Sequence, residues 1–252
     1  MKKGLYIPAV LVVEYRAEIC NFRKYVCREK AILCAKGMVN FMGDYQIERI
    51  VVGDLNTNCY LIKDRASGDA CVIDPGDNLT LIQDGLHRMN AHCRLILLTH
   101  GHFDHILAVG DLRSERAPVC IHRADAHLLT QRDHFSALIP YDPRPFDPAD
   151  YLFDREGSYT IAGFSFYVIP SPGHTKGSVC YLFGDHLFTG DTLFRGGIGT
   201  LDFGGNEADM RASLRMLCNL PGDYTVYPGH DEKTMLSDEI AYNPFLQEFK
   251  RK

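Results

Sequence analysis

Short apolar and alternating runs dominate the first half of the chain beyond residue 44. Tyr45 to Val52 alternates between polar and apolar positions, which predicts a strand with one wet face. Asn58 to Ile62 and Ala70 to Ile73 read as two further strands around the turn Ser67-Gly68-Asp69, so the domain is expected to start antiparallel. Asp74-Pro75-Gly76 closes the third strand, and Leu79, Ile82, Leu86 and Met89 recur at helical spacing. The run Leu95-Ile96-Leu97-Leu98 predicts a strand buried on both faces. Ile106, Leu107, Val109 and Leu112 then predict a helix from about Asp104 to Arg116, ending before Pro118. Val119 to Ile121 reads as a short strand and Ala124 to Leu129 as a short helix.

Pro140, Pro143, Pro145 and Pro148 break any regular element over 131–156, so an irregular loop is expected there. In that loop His134, Phe135, Tyr141 and Phe146 either contact a substrate or wrap the surface. Two hairpins follow: Ser158–Ile161 with Phe164–Ile169 around Ala162-Gly163, and Val179–Phe183 with His186–Thr189 around Gly184-Asp185, where His186 is expected to be exposed. Arg211 to Cys218 is helical, and Thr225-Val226-Tyr227 is a last strand.

The chemistry-bearing residues fall at the ends of these strands. Thr99-His100-Gly101-His102-Phe103-Asp104-His105 follows the buried strand and places four metal-capable side chains within six residues. A single histidine at a strand end is usually a satisfied polar group. Three with an aspartate beside a turn-permitting glycine require another explanation. Three other strand ends carry His174 in Ser171-Pro172-Gly173-His174, Asp191 after Gly190, and His230 in Pro228-Gly229-His230. Loops of this kind converge at one edge of a sheet. An all imidazole and carboxylate donor set suits zinc, iron or manganese, and does not choose among them. Asp74 ends a strand, either as an ordinary turn residue or as a group that orients the ligand loop. His122 and His127 match no ligand position and read as hydrogen-bonded structural residues.

Composition narrows the class. The chain has 252 residues, 46% hydrophobic and 23% charged, as expected of a globular protein. A formal net charge of −5 argues against binding dominated by nucleic-acid phosphates. No apolar run approaches the roughly 20 residues that cross a bilayer. The nine cysteines include no CxxC pair, which fits free thiols in a reducing compartment, the cytoplasm. Lys2 and Lys3 precede an apolar run, Leu5 to Val13, but Glu14 to Glu18 offers no small-residue cleavage site, so secretion is not expected. Cys20, Cys27 and Cys34 recur every seven residues, as positions on one helix face do.

The cluster His100-x-His102-x-Asp104-His105, with Gly173-His174-Thr175-x-Gly177-Ser178, Gly190-Asp191-Thr192-Leu193-Phe194 and Tyr227-Pro228-Gly229-His230 in that order, resembles the motifs of the metallo-β-lactamase superfamily, which includes glyoxalase II. Asn243-Pro244-Phe245-Leu246 is similar to the ending of its small single-domain hydrolases, and the resemblance spans roughly residues 44–246. It implies an α/β fold, a four-layer αββα sandwich of two mixed sheets with helices outside. It also implies that His100, His102 and His174 hold one divalent cation, that Asp104, His105 and His230 hold a second, and that Asp191 bridges them. Residues 44–252 are then a metal-dependent hydrolase domain, and residues 1–43 an extension of uncertain role.

The implied reaction is hydrolysis by a hydroxide shared between two cations, zinc first and iron or manganese as alternatives, with Asp104 orienting it. A thioester of the acylglutathione kind suits such a site: a thiolate is a weak base, and no general acid is visible. Three departures limit the resemblance. About twenty residues follow His230, so the glutathione contacts of two-domain relatives do not carry over, and Thr200 stands where single-domain relatives commonly have arginine. A ligand set without cysteine is unlike most true β-lactamases. The competing readings are a persulfide dioxygenase with one iron, a lactonase, a phosphodiesterase and a non-catalytic metal-binding module. The expected partner is a small-molecule substrate, with no nucleic acid and no membrane; the oligomeric state is open. A chain beginning at Met42 is expected to hold metal as the full chain does. Folded protein of that length that fails to retain metal on dialysis would refute the expectation.

Overall fold

The computed structural model describes residues 43–131 and 146–249. Strands β1 (Tyr45–Val52), β2 (Thr57–Asp64), β3 (Asp69–Ile73), β4 (His92–Leu97), β5 (Val119–His122) and β6 (Tyr151–Phe153) form one sheet in that spatial order. The first three are antiparallel, and β3 through β6 are parallel. The second sheet runs β7 (Gly157–Ile161), β8 (Phe164–Pro170), β9 (Val179–Phe183), β10 (His186–Gly190), β11 (Thr225–Pro228) and β12 (Thr234–Met235), antiparallel except for the β10–β11 pair. Helices α1 (Leu79–Arg88), α2 (Val109–Leu112), α3 (Ala126–Thr130), α4 (Glu207–Cys218) and α5 (Leu236–Tyr242), with 3-10 turns at Phe103–His105, Arg123–Asp125 and Pro244–Phe249, complete the described elements.

The continuous apolar runs have a two-sided purpose. Successive side chains on a strand point to opposite faces. Tyr60, Ile62, Cys71, Ile73, Leu95 and Leu97 therefore face Phe166, Val168, Tyr181, Phe183 and Phe188 of the other sheet. Their neighbours Cys59, Leu61, Ala70 and Val72 pack against Ile82 and Leu86 of α1, while Ile96, Val119 and Ile121 meet Val109 and Leu129. On the far side Tyr167, Ile169, Leu182 and Val226 pack on Met210, Leu214 and Leu217 of α4. Helix, sheet, sheet, helix is the expected four-layer sandwich. Two buried hydroxyls join the sheets near one edge: Tyr181 donates to the Leu98 carbonyl at 2.7 Å, and Tyr60 to the Pro228 carbonyl at 2.6 Å.

Three expectations change. The helix predicted over about 104–116 is broken into a 3-10 turn, Phe103–His105, and the short α2. Its ladder is interrupted because Leu107 and Ala108 donate their backbone N–H groups to the Gly76 and Pro75 carbonyls, both at 3.0 Å. A tertiary acceptor there replaces the intrahelical one. The stretch 131–156 is not wholly irregular, since β6 pairs with β5. Within it Phe146 packs against the cluster of Ile96, Leu98 and Val109, and so serves the core. His186 is half-buried, with Nδ1 3.2 Å from the Tyr227 hydroxyl and Nε2 3.3 Å from Asp185. Cys20, Cys27, Cys34, His134, Phe135 and Tyr141 lie outside the described residues.

Phe166 is fully buried and touches Phe153, Tyr159, Tyr181 and Phe183. Phe166→Ala is expected to cost about 3–5 kcal/mol of stability. Urea unfolding of the metal-free protein measures it, and a loss below about 1 kcal/mol would mean that the two sheets are not joined there.

Candidate metal centre

Four connections meet at one edge of the sandwich: the loop after β4, the β8–β9 loop, the residue after β10, and the loop after β11. Backbone hydrogen bonds knit them together. Val179 donates to the Thr99 carbonyl at 2.9 Å, Gly229 to Gly190 at 2.8 Å, and Asn58, at the start of β2, to Gly229 at 2.7 Å. The packing is tight enough to require glycine at two points. A Cβ on Gly229 would lie 2.1 Å from Asp191 Oδ1, and one on Gly190, which has φ +47°, would lie 2.4 Å from Thr99 Oγ1.

All seven predicted side chains, His100, His102, Asp104, His105, His174, Asp191 and His230, come together there. The donor atoms of His100, His102 and His174 lie within 4.8 Å of one another, as do those of Asp104, His105 and His230, and of His100, His105 and Asp191. Asp191 stands between the first two groups. Its Oδ2 is 3.4 Å from His174 Nε2 and 3.5 Å from His230 Nε2, and its Oδ1 is 3.4 Å from His105 Nε2. Asp104 Oδ2 is 3.3 Å from His105 Nε2 and 3.4 Å from His230 Nε2.

Hydrogen bonds on the outer side of each ring decide which nitrogen faces inward. Asp74, in a left-handed conformation at φ 50°, accepts the Thr99 N–H at 2.7 Å, the Thr99 hydroxyl at 2.6 Å and His105 Nδ1–H at 3.0 Å. Because the Thr99 hydroxyl donates to Asp74, its oxygen is left to accept from His100 Nδ1–H at 3.1 Å. His174 Nδ1–H donates to the Thr200 carbonyl at 2.7 Å and His230 Nδ1–H to the Leu55 carbonyl at 3.2 Å. Four rings thus turn Nε2 inward. His102 is turned the other way, with Nδ1 2.8 Å from His174 Nε2.

This arrangement passes a simple test of fitness for cations. Among the described residues, the buried side-chain polar atoms that make no hydrogen bond are Asn58 Oδ1, His100 Nε2, His105 Nε2 and Asp191 Oδ1. Three of those four belong to the cluster, and buried polar atoms without partners are otherwise rare. Lone pairs gathered this densely, away from water, match what a divalent cation accepts.

Charge follows the same geometry. Burial pushes His100 well below the usual imidazole value, and burial with the neighbouring His174 lowers His102. Burial opposes charge on His105 as well, yet Asp104, Asp191 and Asp74 together hold it well above the usual value. His230 is raised to about 9 against its own burial by the Asp104 and Asp191 carboxylates. Those carboxylates are in turn lowered against burial, Asp104 by His105 and His230, and Asp191 by His105, His230 and His174.

Several residues at the edge carry no signal in the sequence. Thr57 donates its hydroxyl to Asp104 Oδ2 at 2.8 Å, and Asn58 Nδ2–H reaches the Pro228 and Asp231 carbonyls at 2.9 and 2.8 Å, holding the His230 loop. Both precede the metal-capable residues by more than forty positions, and only the fold brings them near. Thr99 was visible as the neighbour of His100, but its relay to Asp74 was not. Asp74 is more than a turn residue: it holds Thr99 and His105 of the loop after β4.

The profile of the metallo-β-lactamase superfamily matches residues 52–230. The chain belongs to the metallo-β-lactamase superfamily. Superfamily relatives include the probable metallo-hydrolase YqgX of Bacillus subtilis, 34% identical over 208 residues, 80% of this chain and 97% of the relative. Another is the probable polyketide biosynthesis zinc-dependent hydrolase BaeB of Bacillus velezensis, 34% identical over 175 residues, 68% and 72% of the two chains. Among solved superfamily structures, BLEG-1, described as a B3 metallo-β-lactamase, superposes with a TM-score of 0.75 at 35% identity, covering 80% of this chain and 99% of that one. TTHA1623 in a di-iron-bound form gives 0.69 at 32% identity, covering 79% and 100%. Among the described residues no helix is long and apolar enough to cross a membrane.

The raised His230 value has a direct consequence for this superfamily member. Without metal, His230 is protonated at pH 7. The stabilisation it draws from Asp104 and Asp191 is complete below about pH 6.5 and is lost as pH rises through about 9. A cation at Nε2 must displace that proton. Its apparent affinity is therefore expected to rise by at least about tenfold per pH unit between pH 7 and 9, since the raised His105 gives up a proton to the same cation. Competition against a pH-corrected chelator measures this, and an affinity that does not change over that interval would overturn it.

Proposed function

We propose that this chain is a metallo-hydrolase that holds two divalent cations at the sheet edge, zinc foremost, and hydrolyses a thioester of the acylglutathione kind. The observation that carries the reading is the set of inward-facing, hydrogen-bond-free lone pairs on His100, His105 and Asp191. His100, His102 and His174 would hold one cation and Asp104, His105 and His230 the second, with Asp191 available to both. The cations when bound supply Lewis acidity, lowering the pKa of water toward about 7 and polarising a carbonyl.

The chain's own residues do the rest. Asp74 and the Thr200 and Leu55 carbonyls keep the rings in the tautomers that leave lone pairs inward. Asp104 is the catalytic carboxylate. Its Oδ2 is engaged by Thr57 and lies near His105 and His230, which fixes the carboxylate where it would accept a hydrogen bond from the attacking water. Every imidazole of the cluster is held as a ligand, which leaves none to protonate a leaving group. That favours a leaving thiolate over an alkoxide. The second group of donors is assembled as fully as the first, which supports two cations over the single iron of a persulfide dioxygenase.

Zinc is supported by the name of the relative BaeB, and iron remains the alternative on the di-iron form of TTHA1623. The likeness to BLEG-1 places β-lactams beside lactones among the substrates to be tried. Six free cysteines among the described residues support a reducing compartment, the cytoplasm.

The test is metal quantitation alongside thioester, lactone, β-lactam and persulfide substrates. Two equivalents of metal and preferred turnover of the thioester are expected; opening of lactones or lactams without thioester turnover would sink the reading. His102→Ala is expected to lower kcat/KM by roughly 10²–10³, the scale of losing one stabiliser of the transition state. The metal-free variant should unfold at the wild-type denaturant concentration, since no core packing is removed, and near-normal turnover would show the site to be misassigned.

A further inference from the structure

Asp125 ends the 3-10 turn Arg123–Asp125 that follows β5, and it is buried. It occupies the N-cap position of α3, where an aspartate ordinarily accepts a hydrogen bond from its own helix. Here the side chain makes no such bond. It reaches instead to two loops distant in sequence. Oδ2 accepts the Gly101 N–H at 3.1 Å and the Thr175 hydroxyl at 2.7 Å, and Oδ1 accepts the Gly177 N–H at 2.7 Å.

The direction of each bond is settled locally. Ser178 Oγ accepts the Thr175 N–H at 3.1 Å and lies 2.7 Å from Thr175 Oγ1. The Thr175 hydroxyl is committed to Asp125, so Ser178 is the donor in that last contact, and every group in the chain is satisfied. The fit is close on both sides. A Cβ on Gly177 would lie 2.5 Å from Asp125 Cγ, and one on Gly101 would lie 2.7 Å from Leu128 Cβ and 3.2 Å from the Asp125 carbonyl. Two glycines, one in each ligand loop, are thus pressed flat against the same short element.

Gly101 lies between His100 and His102, and Thr175 follows His174. We propose that Asp125 is a positioning residue that sets the mutual spacing of His100, His102 and His174, and so governs affinity for one of the two cations. Its carboxylate joins the loop that carries two of those rings to the loop that carries the third. The His102 Nδ1 to His174 Nε2 separation of 2.8 Å spans the same two loops. Asp104, His105 and His230 have no bond to Asp125 and take their positions from Asp74, Thr57 and the Leu55 carbonyl. The inference rests on reading the cluster as a two-cation site, and not on any particular substrate.

The test uses full-length protein, stripped of metal and titrated with zinc against a chromophoric chelator that resolves two binding steps. Asp125→Asn replaces one acceptor oxygen by a donor, so at least one of the three N–H or O–H groups loses its partner. One step is expected to weaken by about 10–100-fold, as when an outer partner of a metal ligand is lost, while the other stays near wild type. Thr175→Val should weaken the same step, and Thr175→Ser, which keeps the hydroxyl, should restore it. If Asp125→Asn does not fold, the Thr175 pair decides alone.

Wild-type affinity at both steps in Asp125→Asn and Thr175→Val would overturn the proposal. So would equal weakening of both steps in proportion to a lowered unfolding midpoint of the metal-free protein, which is what a purely structural role predicts. Wild-type protein that binds two zinc ions but cleaves no thioester would remove the substrate reading and leave this inference standing. Wild-type protein that binds none would remove both.

Discussion

The centre depends on which nitrogen of each imidazole is spent on the scaffold. An imidazole has two, and a neutral ring offers one donor and one acceptor. Asp74, Thr99 and the Thr200 and Leu55 carbonyls take the Nδ1–H groups of four rings, so the remaining lone pair of each must face the cluster. Neither the number of histidines nor their closeness would achieve this alone. A ring in the other tautomer would present an N–H at Nε2 and repel a cation there. Asp74 carries the most, because it fixes His105 directly and His100 through the Thr99 hydroxyl.

Such a cluster is electrostatically unfavourable by itself. Five imidazoles and two carboxylates are gathered mostly out of water, where an unpaired charge is costly. The protein limits that cost by pairing within the cluster: Asp104 and Asp191 favour positive charge on His105 and His230 while no cation is bound, and burial disfavours it on His100 and His102. The sheets supply the rigidity that holds these groups against one another. Aromatic contacts between the sheets, such as Tyr60 on Phe188 with ring centres 5.2 Å apart, run up to the edge, where the Tyr60 and Tyr181 hydroxyls clamp carbonyls at the strand ends of the facing layer.

The parts of this arrangement that could be read from the sequence were those with a period or a local motif. Two-sided strands announced themselves as unbroken apolar runs, and β1 through β3 lie where alternation and the Ser67-Gly68-Asp69 turn put them. The seven side chains stood out because several occur within a few residues or follow a strand and a glycine. What escaped was non-local. The helix predicted after Asp104 breaks because Gly76 and Pro75 offer their carbonyls to Leu107 and Ala108, and no window around Asp104 contains that fact. β6 was hidden among prolines because its pairing with β5, not its own composition, makes it a strand. Asn58 was only the first residue of an expected strand, and Asp125 only one position of the short helix expected over Ala124 to Leu129.

The C-terminal segment shows how far such non-local support extends. Glu239 is buried on α5 and accepts the Gly196 N–H, the Asn243 amide and the Thr234 hydroxyl, each at 2.8 Å. Asn243 in turn donates to the Gly197 carbonyl at 3.1 Å. These bonds brace the loop from Phe194 to Thr200, whose far end supplies the carbonyl that holds His174 Nδ1 and whose Gly199 N–H is tied to the Asp191 carbonyl at 3.1 Å. A Cβ on Gly199 would lie 2.2 Å from that carbonyl oxygen, so the loop and Asp191 are in direct contact. The ending Asn243-Pro244-Phe245-Leu246 is thus tied physically to the cluster. It braces, through one buried carboxylate and one loop, the ring of His174 at the opposite end of that chain of contacts.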